Sequence, residues 1–224
     1  DRLTTLDAAG LRLFQISIFV DLADEKNPFD KRVDDVFPLL EGRDVQICLL
    51  IKGFPPSDPQ GDEKAAAIVR TLADKGAPFG VRIILYPHVD LWLEKVSDAV
   101  RLARKAKRPN VGVMFNLCHW LKVDKEENLA AVIREASPYL WAVSINGADH
   151  AEAIRSDKGN WLQPLDRGDY DLLPLLTLLK ASGYRGPVGL QCWGIEGDAR
   201  DHLARSMKAW QGYMRRLDAP AEKR

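Results

Sequence analysis

Four apolar runs in this chain end in polar side chains suited to moving protons or holding hydroxyl groups. Ile83-Ile84-Leu85-Tyr86-Pro87 ends at His88, and Val111-Gly112-Val113-Met114-Phe115 leads into Asn116-Leu117-Cys118-His119. Ala142-Val143-Ser144-Ile145 leads to Asn146, and Val188-Gly189-Leu190 leads to Gln191-Cys192-Trp193. Imidazoles exchange protons near neutral pH, so His88 and His119 are the candidate acid and base. Carboxamides both donate and accept hydrogen bonds, as sugar hydroxyls require, so Asn116, Asn146 and Gln191 are candidate hydroxyl binders. Trp120, Trp161 and Trp193 lie beside them, and aromatic walls suit the apolar C–H faces of a carbohydrate. The plain alternatives are strand-end hydrogen bonding for the amides and imidazoles, and core packing for the indoles. Lys52, at another strand tip, is a candidate for a carboxylate, phosphate or enolate oxygen; an exposed loop lysine is the plain alternative. Tyr86, Asp149 and Gln163 complete the candidate substrate contacts, while Asp166 reads as a turn or cap residue near Gly168.

These tips need elements to position them. Apolar runs at residues 11–20, 45–51, 81–86, 111–115, 140–145 and 188–191 predict six strands. Helical spacing predicts helices at 35–40, 63–75, 91–105, 125–135, 171–182 and about 198–217, after an opening helix that stops at Gly10. Asp62 is the expected N-cap of the second of these. Trp92 and Trp210 are assigned to packing. Strands alternating with helices imply a parallel sheet, and near-continuous apolar strands imply helices over its faces. A doubly wound sheet usually carries a glycine-rich phosphate turn after its first strand, and none is present. The expected class is therefore α/β of the TIM-barrel type, one domain over residues 1–224, with the site at the C-terminal strand ends.

Composition narrows the partners. Lys plus Arg and Asp plus Glu each number 32, which leaves no positive excess for a nucleic acid. The basic stretch 105–108 closes a predicted helix and reads as a solvated end. No run is long enough to span a membrane. The three cysteines form no CxxC pair, so buried thiols are expected rather than a disulfide framework. The first residue is Asp, which leaves cytoplasmic and exported locations equally open.

The chain resembles the xylose isomerase-like TIM barrels, the sugar phosphate isomerase/epimerase group. Asn116-Leu117-Cys118-His119 is similar to that family's D-x-x-H. Pro164-Leu165-Asp166-Arg167-Gly168-Asp169 is similar to its P-L-G-x-G-D loop, and Gly183-Tyr184-Arg185-Gly186-Pro187-Val188 to its entry into the last strand. On that order the six strands match family strands 3 to 8. The resemblance then implies either a fragment or an open edge covered by a partner or a second copy of the chain. It also implies a metal site, but the matching positions are Tyr86, Asn116, Ser144 or Asn146, and Gln191. Each acidic ligand is replaced by a neutral group. No cofactor is expected, beyond at most a weakly held divalent metal. Glu196 and Asp198 stand where such barrels often bind phosphate, which favours a neutral sugar or keto-sugar derivative. The reaction implied is proton transfer next to a sugar carbonyl: isomerisation, epimerisation or elimination. The rival is a noncatalytic sugar-binding protein on a degenerate isomerase scaffold. A metal-dependent endonuclease of the same superfamily needs more His, Asp and Glu ligands than a chain with four histidines offers.

Overall fold

The computed structural model describes residues 2–219. They form two compact units that divide between Met114 and Phe115.

The first unit contains α1 (Arg2–Ala8), β1 (Gln15–Asp21), α2 (Val33–Leu39), β2 (Gln46–Lys52), α3 (Asp62–Gly76), β3 (Arg82–Leu85), α4 (Val96–Ala106) and most of β4 (Val111–Asn116). Each strand pairs in parallel with the one before it: Ile18 lies beside Leu49, Ile47 beside Ile83, and Ile84 beside Gly112. β2 is buried from Gln46 through Ile51, as a strand covered on both faces must be. α3, in contact with β3 and α4, buries Ala65, Ala66, Ile68, Val69, Leu72 and Ala73, the spacing of one helical face.

Two expectations are corrected in this unit. The helix expected from residue 91 begins at Val96, although Leu91 to Glu94 carry helix-like spacing. The indole N–H of Trp92 donates to the Asp58 carbonyl at 2.6 Å. Leu93 N–H donates to the Ile51 carbonyl, and His88 N–H to the Leu93 carbonyl. These bonds fold the segment back onto the end of β2. Asp62 is not the N-cap of α3; Gly61 is, and Asp62 is the first helical residue. Its carboxylate takes the Arg101 guanidinium at 3.0 Å. The buried Asp98 takes the same guanidinium at 2.6 Å and the Ser57 hydroxyl at 2.6 Å, so two nearly buried carboxylates share one cation.

Trp92 is 1% exposed, and a Cβ built on Gly61 would lie 2.6 Å from its ring. Trp92→Phe leaves the Asp58 carbonyl without its donor and opens space beside Gly61. It is expected to lower stability by about 1–3 kcal/mol. Urea unfolding measures this, and a loss below about 0.5 kcal/mol would show that the indole is not a structural bolt.

The second unit holds the tip of β4, then α5 (Leu117–Val123), α6 (Leu129–Ala136), β5 (Leu140–Ile145), α7 (Ala151–Arg155), α8 (Leu173–Ala181), β6 (Val188–Leu190) and α9 (Ala199–Asp218). β5 and β6 pair in parallel, with Ser144 beside Gly189. The expected helix at 125–135 is a short 3₁₀ turn at Glu126–Asn128 followed by α6. Residues 117–119, expected to extend the strand tip, instead open α5. That turn buries Leu117, Cys118, Trp120 and Leu121. α7 lies inside the connection expected to be irregular.

Among the described residues no helix is long and apolar enough to cross a membrane. The three cysteines are free, with Cys48 and Cys118 buried and Cys192 half-buried.

Candidate functional site

In the first unit the candidates are Lys52, Tyr86 and His88. Lys52 ends β2 and its ammonium lies 3.2 Å from the Asp21 carboxylate at the parallel end of β1. Tyr86 follows β3, is largely buried, and meets the His88 ring edge-on at 6.0 Å between centroids. His88 Nδ1 lies 2.7 Å from the Val89 carbonyl. A carbonyl only accepts, so Nδ1 carries a proton in that contact.

In the second unit Asn116 closes β4 and His119 lies in the first turn of α5; they are 2% and 4% exposed. The Cys118 thiol donates to Asn116 Oδ1 at 2.9 Å, and burial pushes that thiol up to about 12. It is a neutral donor at physiological pH, and not a nucleophile. The His119 ring packs against Trp161 at 5.5 Å between centroids, and Lys122 Nζ sits 4.0 Å over the same indole. Asn146, just past β5, is fully buried. Its Nδ2 donates to the Gly147 and Trp161 carbonyls at 2.7 and 3.0 Å, while its Oδ1 has no hydrogen-bond partner among the described residues. The carboxamide therefore pins the Trp161 segment to the strand end.

The connection after β5 is built on two close approaches. Gly147 and Gln163 exchange both backbone hydrogen bonds. A Cβ on Gly147 would lie 2.1 Å from the Pro164 carbonyl oxygen and 2.4 Å from that of Arg167. Gly168 has φ +83°, and a Cβ there would lie 2.1 Å from the Ala148 carbonyl oxygen. The glycine in the Pro164 to Asp169 motif is thus needed for docking the loop. Gly147→Ala pushes backbone against backbone and is expected to cost about 2–4 kcal/mol. Thermal unfolding tests this, and an unchanged midpoint overturns it.

Asp149 and Gln163 spend hydrogen bonds on this loop. Gln163 Nε2 donates to Asp149 Oδ1 at 3.1 Å, and Asn160 N–H donates to Asp149 Oδ2 at 2.7 Å. Asp166 pairs with Arg205 of α9 at 2.8 Å. Gln191 N–H donates to the Ile145 carbonyl, and its Oε1 accepts from Trp193 N–H at 3.3 Å. Trp193 is 78% exposed. Trp120 is buried against Phe115 and serves the core. Asp198 caps α9 by accepting from the N–H groups of Arg200 and Asp201, so the helix start is already supplied with its anion. An apolar groove of about 380 Å³ runs between β6 and α9, lined by Leu190, Leu203, Met207 and Trp210 among others; none of the candidate residues lines it.

His150, at the start of α7, meets Glu126 at 2.9 Å. That hydrogen bond, with help from Asp169 and Asp149, raises its pKa above the ordinary 6.5. The pair's stabilisation is complete below the ordinary value and is lost as pH rises through the raised one. Melting temperature should therefore fall more from pH 6 to pH 8 in the parent than in His150→Gln. Parallel profiles would refute this.

Sequence reasoning did not single out Lys122, whose ammonium lies over Trp161. Its signal is the i, i+3 spacing from His119, visible only once α5 is known to be helical.

The family match covers residues 31–213 and is to the xylose isomerase-like TIM barrel model. The chain belongs to that family, and its fold is α/β of the TIM-barrel type. A mouse protein named as a putative hydroxypyruvate isomerase is 29% identical over 119 residues, 53% of this chain and only 38% of the mouse protein. Among solved structures, the 3-keto-D-glucoside 4-epimerase of E. coli is 18% identical, covers 92% of this chain and 81% of its own, and has a TM-score of 0.70. A xylose isomerase-like barrel from Mycobacterium smegmatis, solved in complex with magnesium, is 19% identical with TM-score 0.70, covering 96% and 77%.

Among the described residues no three His, Cys, Asp or Glu side chains form a group that could hold a metal.

Proposed function

We propose that the chain is a carbohydrate-active isomerase or epimerase-like enzyme that moves a proton next to a sugar carbonyl. The observation that carries this reading is the buried Asn116–His119 pair, set where β4 passes into α5. His119 takes the proton from the carbon beside the carbonyl, leaving an enolate. For isomerisation it delivers a proton, exchangeable with solvent, to the former carbonyl carbon while the neighbouring hydroxyl proton passes to the former carbonyl oxygen; for epimerisation a solvent-derived proton reaches the same carbon from the opposite face. Asn116 and Asn146 orient hydroxyls, with Gln191 as a further contact. His88 is the proton-transfer candidate of the first unit. The partner is a small carbohydrate.

The test is solvent deuterium wash-in, followed by NMR over a panel of ketoses and 3-keto-sugars. Deuterium beside the carbonyl of at least one compound is the expected result. Binding without exchange anywhere in the panel favours the sugar-binding alternative. Neutral side chains at Asn116 and Gln191, which resemble positions of acidic ligands in the family, support that alternative.

A further inference from the structure

We propose that the cleft between the 165–170 loop and α9 binds a nucleoside diphosphate, at a site separate from the strand-tip candidates. The cleft has two lobes. One, of about 210 Å³, is lined by Tyr170, Tyr213, Arg167, Arg216 and Gly212 among others. The other, of about 420 Å³, is lined by Arg205, Lys208 and Arg215. Asp166 and Ala209 line both, so the lobes meet there.

The first lobe suits a planar base. It offers two phenol rings, and the Arg216 guanidinium lies 5.5 Å from the centre of the Tyr213 ring. Bases of every kind stack on aromatic rings and on guanidinium planes. Small residues keep the floor of the lobe low. Gly212 stands inside the 20-residue α9, where glycine is unfavourable to the helix. Packing does not demand it: a Cβ built there would meet only Arg215 Nη2, at 4.0 Å. Open space over an unfavourable helix residue is what a ligand lying close to the backbone requires.

The second lobe suits phosphates. Arg205 is paired with Asp166 at 2.8 Å, and Arg216 reaches Asp171 at 3.4 Å. Among the described residues Arg167, Lys208 and Arg215 enter no ion pair. The nearby Asp169 and Asp171 each accept a backbone N–H, from His150 and Leu173. Several cations around one lobe match a group with more than one negative charge better than a single carboxylate. Asp166 is the acidic residue that lines the cleft, at the junction of its lobes. Both of its hydrogen bonds from Arg205 go to Oδ2. Oδ1 is left to accept from ribose hydroxyls, a role that carboxylates serve in dinucleotide sites. Aromatic lobe, carboxylate and cationic lobe therefore follow the order of base, ribose and phosphates. The zero net charge of the chain favours a mononucleotide over a nucleic acid strand.

The test is calorimetry on the full chain at low and high salt, with ADP, UDP, adenosine, pyrophosphate and a short single-stranded RNA as ligands. In the parent, ADP or UDP is expected to bind at least about tenfold tighter than adenosine or pyrophosphate, with an affinity that falls in salt. Lys208→Gln combined with Arg215→Gln should weaken that nucleotide about tenfold and leave adenosine unchanged. Gly212→Leu favours the helix, so circular dichroism should stay that of the parent while nucleotide affinity falls by a similar factor. The proposal is overturned if neither nucleotide binds, if pyrophosphate or adenosine binds as tightly as both, or if the RNA binds tightest. It is overturned equally if Gly212→Leu leaves nucleotide affinity intact, or if the double variant weakens adenosine alike. The comparison of ligands on the parent stands even if a variant fails to fold.

Discussion

Calorimetric titration of the parent chain with MgCl₂ or MnCl₂ is expected to give at most weak binding, and Asn116→Asp with Gln191→Glu should tighten it by at least about tenfold. Asn116 is 2% exposed and already accepts from the Cys118 thiol. An aspartate there would keep that hydrogen bond and add a charge in a desolvated place. Burial raises the pKa of such a carboxyl and makes the metal-free variant less stable than the parent, by roughly 1–3 kcal/mol. Added metal should return that stability, so melting temperature supplies a second readout. Submicromolar affinity in the parent refutes the claim and restores metal-assisted isomerisation as the leading mechanism.

His119→Gln is expected to lower deuterium wash-in by about 10²–10⁴-fold while circular dichroism stays that of the parent. Glutamine fills much of the imidazole's volume and can hydrogen bond, but it cannot cycle a proton at neutral pH. If His119 serves only to pack against Trp161, the variant retains its exchange rate, and the assignment of the base is wrong. Trp161→Leu is a useful companion. It should weaken binding more than it slows exchange of bound substrate, because the indole places other groups and moves no proton.

Much of the frame was legible in the residues. The strand at 140–145 is observed with those bounds, because an apolar run between turn residues has few alternatives. The helix at 91–105 was drawn one turn too long, since periodicity cannot reveal that the Trp92 N–H is claimed by Asp58. α5 was hidden for the opposite reason: its first residues continue the apolar run of β4, and it is only seven residues long. The candidate side chains could be named from their strand-end offsets. Their partners could not, because hydrogen bonds such as Asn146 to Trp161 join residues fifteen apart across an irregular loop.

In both units each strand lies beside the strand that precedes it in that unit. Every pairing therefore closes a loop of only a few tens of residues, already shortened by an intervening helix. The entropy of loop closure grows slowly with length, so each pairing forms without waiting for distant parts of the chain. Amide hydrogen exchange should accordingly retreat in steps of one strand with its covering helix. The slowest exchanging amides should lie in β2 up to Ile51 and in the β4 residues of the first unit, which are buried along their length.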